Sequence, residues 1–396
     1  MNHPQHHIFA HTPESLAAWC SQRDMKPFRA KQILEWVYER GVVDPAKMTN
    51  LSKLDQSILA RDMTFLSGKT VQEQRASDGV RKLLIEWDDY PTASPSADST
   101  LSLPILTQHA APSTQHDSLP TQNDSPLATE CVMIPTDDRK TACISSQVGC
   151  PVGCKFCASG IGGLDGNLSA GRIVEQVWRL RSLLAKGENA DQYAQGGAAR
   201  ITNVVFMGMG EPLSNFVPVT SAIRTMAALW GMGISARKIT ISTVGLPAAI
   251  VKLAEQFELP VTLALSLHAP NDEIRRRLIP WAEYTSISEL LAACTRWFEK
   301  TGREITLEYT LLHEINDRPR HAKELTQIAT TLRANINLIR YNEVAGMPFE
   351  RPRDTSVLEF QRLLKDAGLN VHIRASRGRD ISAACGQLRH ESAKTA

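Results

Sequence analysis

From Thr141 onward, short apolar runs alternate with amphipathic stretches, and this alternation limits the possible folds more than any other feature. The runs 141–146, 201–206 (Ile-Thr-Asn-Val-Val-Phe), 238–243, 261–267, 304–311, 336–340 and 371–374 read as strands. The stretches 170–186, 217–230, 247–257, 286–301, 319–333 and 355–367 read as helices. In the first of them Ile173, Val177, Leu180 and Leu184 recur at helical spacing. Near-continuous apolar strands separated by helices point to a parallel sheet or barrel covered by those helices. About six such units are too few to close an eight-stranded barrel. The expected fold is therefore α/β, an open partial (β/α)6 barrel. In such folds the chemistry sits at the carboxyl ends of the strands.

The first strand of the series leads into Cys150-Pro-Val-Gly-Cys154-Lys-Phe-Cys157. Dense thiolates hold iron–sulfur clusters or zinc. A closed structural site takes four ligands, so three leave one metal ion with an open position. Pro151 and Gly153 suit a loop that wraps a metal core. A zinc site completed by a distant fourth ligand is the alternative. Strand 201–206 runs into Met207-Gly-Met-Gly-Glu-Pro212, strand 238–243 ends in Ser242-Thr-Val-Gly245, strand 261–267 runs through Ser266-Leu-His268, and strand 336–340 leads to Tyr341-Asn342. Glycines and polar groups thus recur at one end of several strands, where a ligand would lie. Taken singly, Glu211 also fits a helix cap before Pro212, and His268 a satisfied histidine at a strand end.

The phrase Cys143-Ile-Ser-Ser-Gln-Val-Gly-Cys-Pro-Val-Gly-Cys-Lys-Phe-Cys157 resembles the radical S-adenosylmethionine (SAM) superfamily and, within it, the RlmN/Cfr family of RNA adenine methyltransferases. A second phrase, Arg377-Gly-Arg-Asp-Ile-Ser-Ala-Ala-Cys-Gly-Gln-Leu388, is similar to that family's methyl-carrying cysteine loop. The resemblance implies a [4Fe–4S] cluster on Cys150, Cys154 and Cys157. It implies SAM contacts at Gly210, Glu211, Ser242, Ser266, Leu267, His268 and Asn342. Cys385 would carry the methyl group, Cys143 would later form a disulfide with it, and Glu130 would accept a proton. The implied reaction is radical methylation of adenine C2 in 23S rRNA, and in tRNA, by a monomer served by an electron donor such as flavodoxin. C8 methylation of the Cfr type is the alternative outcome, since Leu338–Gly346 departs from the Pro-Trp-Asn-Pro type associated with C2 and the loop Ala158–Gly163 also differs. A non-catalytic iron–sulfur or zinc RNA-binding module is the alternative of a different class.

The formal net charge of the 396-residue chain is only +2, so an RNA footprint must be a local patch. Candidates are Arg275, Arg276, Arg277, Arg374, Arg377, Arg379 and Arg389, with Arg29, Lys31 and Arg40 nearer the N-terminus. No run of 18 apolar residues and no secretory signal occurs, and five of the eight cysteines fall between 131 and 157. A reducing cytoplasm is expected. Residues 1–70 read as a helical accessory domain, RNA-contacting by the resemblance, after a disordered histidine-rich start. Within it Phe28, Ile33, Trp36 and Val37 share one helix face, and a second helix is expected over Leu51–Leu59. Residues 71–140 read as a β-hairpin extension with strands 81–87 and 129–135. They flank a polar, flexible insertion at about 89–127. The barrel spans 141–375, and 376–396 form the cysteine loop and tail.

Overall fold

The computed structural model of the chain describes residues 4–87, 127–185 and 200–388. Seven parallel strands lie side by side in chain order: Lys140–Cys143, Asn203–Phe206, Ile239–Thr243, Thr262–Ser266, Ile305–Leu311, Ala334–Arg340 and Asn370–Arg374. The order never reverses, so each crossover returns over the same face and the sheet curls toward a barrel. Six strands are followed by a covering helix, namely Ala170–Ala185, Phe216–Ala227, Pro247–Gln256, Ile287–Thr301, Pro319–Ala329 and Asp354–Asp366. The seventh strand leads instead into the loop that carries Cys385. Ile173, Val177, Leu180 and Leu184 are buried, as their spacing predicts.

On the other side of Lys140–Cys143 the sheet continues with antiparallel strands, Leu127–Pro135, Arg81–Trp87 and Gly68–Arg75. The last of these is not foreseen in the sequence. It is a polar edge strand whose one large apolar residue, Val71, is exposed, so it carries no alternation to read. The insertion expected at about 89–127 lies outside the described residues apart from Leu127, which opens a strand.

The N-terminal helices are Pro13–Ser21, Arg29–Leu34 and Lys53–Asp62. Thr12 with Ser15, and Ser52, supply the N-caps of the first and third. The second runs on through one π-turn, Glu35–Glu39. Ile33, Trp36 and Val37 are buried, but Phe28 is exposed, because it is the cap residue and lies outside the helical periodicity.

The start of the chain departs from expectation. His6–His7 pairs with Met63–Thr64, and His7 Nε2 lies 3.1 Å from Glu175 Oε2. Glu175 is wholly buried and accepts from Ser67 N–H, Ser67 Oγ, Gly68 N–H and Arg179 Nε. A carboxylate out of water needs such donors, and ordering the first histidines supplies one. Burial would raise the Glu175 carboxyl, but His7, Arg179 and the Ser67 N–H outweigh it and bring the group down to about 2. Its contribution to stability is therefore present above the unfolded carboxyl range and lost as pH falls toward 2. Glu175→Ala should lower stability at pH 7 by roughly 3–5 kcal/mol, because it leaves two N–H groups without their acceptor and the half-buried Arg179 without its carboxylate. Urea melts at pH 7 and pH 3 check this, and the gap between variant and wild type should narrow at the lower pH.

Candidate active site

The carboxyl ends of the parallel strands surround one cavity. It is lined by Cys150, Cys154, Cys157, Gly210, Glu211, Ser242, Ser266, His268, Asn342 and Cys385. Leu267, expected among the cofactor contacts, is absent from the lining and belongs to the hydrophobic core. The strand ends at Ser266, and His268 beyond it reaches the cavity through a left-handed backbone, with φ +55°.

The cysteine loop is fixed by its backbone. Cys150 N–H donates to Gly163 O at 2.8 Å, Lys155 N–H to Leu278 O at 2.9 Å and Ala158 N–H to Gly386 O at 2.8 Å. At Gly149 φ is +73°, and a Cβ there would lie 2.1 Å from the Gly163 oxygen, so only glycine fits. Burial raises all three thiols, Cys150 to about 12, and the neighbouring negative charges of the other cysteines and Glu211 add to this for Cys150 and Cys154. Three thiolates here are therefore favourable only with the positive charge of bound metal. That is the donor chemistry an iron–sulfur cluster requires. Among the described residues no three His, Cys, Asp or Glu side chains are grouped for a single metal ion. The three thiols instead share one cavity wall.

Glu211 is both a cap and a cavity residue. Its carboxylate accepts from Leu213 N–H at 3.0 Å and Val244 N–H at 2.8 Å, and burial pushes it up to about 7. A cationic ligand such as the SAM ammonium would hold it ionised. Gly210 brings this turn against Gln147, whose Oε1 accepts from Glu211 N–H at 2.7 Å. Ser242 and Ser266 face each other with hydroxyls 3.3 Å apart. His268 has φ +55°, accepts from Thr310 N–H on Nδ1 at 3.1 Å and meets the edge of Phe156. Burial lowers it to about 3, so it is a neutral imidazole. Asn342 donates to the Cys385 carbonyl at 3.1 Å.

Sequence reasoning missed Glu308, a buried acid inside the apolar strand Ile305–Leu311 that also lines the cavity. It lies 3.4 Å from Arg374 Nη1. An acid interrupting an apolar run was the available signal. Arg374, a phosphate candidate in the sequence, is thereby placed in the cavity. Arg275 is also corrected: it is fully buried and donates to Val244 O at 2.6 Å. Arg377 donates to Pro135 O, Arg29 pairs with Asp55, Lys31 with Glu35, and Arg40 stacks over Trp36. Arg276, Arg277 and Arg379 remain exposed. Arg389 lies outside the described residues.

Cys385 is reached by solvent, and residues of its loop line two cavities. Cys385 and Gly386 face the first. Ser382 and Gln387 face a second, polar one, shared with Lys82 and Glu130. Cys143 is buried with Val132, Met209, Ala383 and Leu388, two of them from the same loop. Burial and then the charge of Cys385 raise its thiol to about 12. Neither Cys143 nor Glu130 lines the first cavity, but both flank the loop that carries Cys385.

Residues 7–63 match the model of the ribosomal RNA large subunit methyltransferase N-terminal domain, and residues 144–325 that of the radical SAM superfamily. The chain is 37% identical to the probable dual-specificity RNA methyltransferase RlmN of Rhodopirellula baltica, over 97% of this chain and 91% of that one. It is 37% identical to the dual-specificity RNA methyltransferase RlmN of Dichelobacter nodosus, over 96% and 93%. The chain belongs to the RlmN family of radical SAM methyltransferases. A crystal structure of a radical SAM methyltransferase from Sphaerobacter thermophilus superposes with a TM-score of 0.83 at 35% identity, covering 98% of this chain and 100% of that one. Membership brings a [4Fe–4S] cluster and SAM as cofactors.

At Gly210 φ is +101°, and a Cβ would lie 2.6 Å from Gln147 Cβ. Gly210→Ala should displace this turn and weaken SAM binding by roughly tenfold or more, about 1.4 kcal/mol, measured by equilibrium dialysis on the reconstituted protein.

Proposed function

We propose that the protein methylates C2 of an adenine in 23S rRNA, and in tRNA, with Cys385 as methyl carrier. The observation that carries this reading is the position of Cys385: its loop lines both the cavity of the cysteine triad and the cavity containing Glu130, and packs against Cys143. Cys150, Cys154 and Cys157 would hold the cluster, with Gly210, Glu211, Ser242, Ser266, His268 and Asn342 around SAM. When bound, the cluster and SAM supply a carbon-centred radical able to take hydrogen from a methyl group. Cys385 receives its methyl from SAM and, once a hydrogen is lost, joins the carbon to the adenine ring. Glu130 takes the ring proton. The odd electron returns to the one-electron carrier that supplied it. The Cys143 thiolate then attacks the Cys385 sulfur, an S–S bond forms as the sulfur–carbon bond breaks, and the released carbon takes a proton to become the methyl group, so both sulfurs must meet. A dithiol reductant restores the pair.

The base must leave its stack to reach Cys385. The N-terminal helices, with Arg276, Arg277 and Arg379, are the proposed RNA contacts. The match of residues 7–63 to a ribosomal RNA methyltransferase domain supports the first of these. Among the described residues no helix is long and apolar enough to cross a membrane. We place the enzyme in the cytoplasm, as a monomer reduced by a flavodoxin-type donor. The described cysteines are free thiols.

Mass analysis of digested RNA after anaerobic reaction should show 2-methyladenosine, whereas 8-methyladenosine would replace the C2 assignment with the Cfr-type outcome. Cys385→Ala should abolish methylation and remove the methyl group from the corresponding peptide of purified protein. Cys143→Ala should stall with RNA covalently attached, visible as a shifted band on denaturing gels.

A further inference from the structure

We infer that Lys82 is a positioning residue for the proton-removal step: it keeps Glu130 in place as a carboxylate and ties it to the loop carrying Cys385. This rests on the reading of Glu130 as proton acceptor. In the antiparallel ladder Leu84 stands opposite Glu130 and Lys82 opposite Val132. The Lys82 ammonium reaches back along that ladder to within 2.6 Å of Glu130 Oε1, with side-chain exposures of 8% and 9%. The same nitrogen donates to the Ser382 carbonyl at 3.3 Å. One ammonium thus bridges the carboxylate and the carrier loop, three residues before Cys385.

Stability alone does not account for this pair, because the desolvation of two buried charges cancels much of their attraction. It does account for a base kept ready. A buried carboxylate without a cation binds a proton and ceases to be one. The other ionisable groups lining the adjoining cavity, Glu343 and Asp380, are acidic. Glu343 lies 4.0 Å from Arg379, and Asp380 accepts from Ser77 N–H. Lys82 is the cation in that lining that meets the Glu130 carboxylate. In the step itself the adenine C–H bond breaks and its electron pair stays in the ring. The proton goes to the Glu130 carboxylate, which becomes a neutral acid, and Lys82 remains an ammonium throughout.

The test compares Lys82→Met, Glu130→Gln and the double variant, as full chains reconstituted anaerobically and reacted with a 23S rRNA transcript in single turnover. In Lys82→Met, formation of 5′-deoxyadenosine should stay near wild type while release of methylated RNA slows on the order of 100-fold. The pH at which release becomes fast should move upward, so that raising the pH recovers part of the rate. On cluster-free protein, the melting temperature should fall more in Lys82→Met than in the double variant, the mark of a carboxylate left without its cation. Wild-type release with an unmoved pH profile in Lys82→Met would overturn the proposal. So would equal loss of 5′-deoxyadenosine formation and release, since that marks a general structural defect. Full turnover in Glu130→Gln would instead remove the reading on which the proposal stands.

Discussion

Parallel hydrogen bonding between consecutive strands is the constraint on which everything else in the molecule depends. A parallel neighbour can be reached only by crossing back over the sheet, so every strand ends on the same side as the one before it. Thr243 stands beside Leu265, and Ser266 beside Glu308, in an unbroken register. Loops that are distant in sequence are thereby delivered to one rim. The period of two along each strand then selects which side chains look inward. In Ile305–Leu311, Glu308 and Thr310 do, and Leu307 and Tyr309 do not.

Charge at that rim is arranged against its own tendency to be neutral. Burial raises Glu211 and the three cluster thiols, so each is a poor anion until something positive arrives. Glu308 already has its cation in Arg374. The loop around Cys385 is fastened by another means, through contacts to its backbone. Ala158 N–H donates to Gly386 O, Asn342 to Cys385 O, and Ser159 Oγ to Leu388 O at 2.7 Å. Each contributes about 1 kcal/mol. Together they fix the main chain while leaving the Cys385 side chain open to solvent.

Much of this architecture was written in local patterns. Each expected barrel helix and strand is present within a few residues, because amphipathic periodicity and apolar runs are local signals. The cavity residues were legible for the same reason: they follow strands, and strands could be counted. What escaped were facts of tertiary pairing. Nothing near Glu175 announces that it recruits the first histidines, and nothing near Arg275 marks it as buried. Gly68–Arg75 carries no hydrophobic rhythm, since as an edge strand it has little to bury. The bond between Lys82 and Glu130 joins positions 48 apart in sequence, and it became visible only once the two strands were laid side by side.

The antiparallel extension has a consequence of its own. Val132 is paired with both Lys82 and Cys143, and Glu130 lies two residues from Val132. The Lys82 ammonium, the Glu130 carboxylate and the Cys143 thiol therefore share one face of the sheet by parity. One residue added or lost in the turn between Pro135 and Lys140 would reverse that parity for Cys143 relative to Glu130. Such a lesion would leave every one of these side chains in the sequence and turn Cys143 to the opposite face from Lys82 and Glu130.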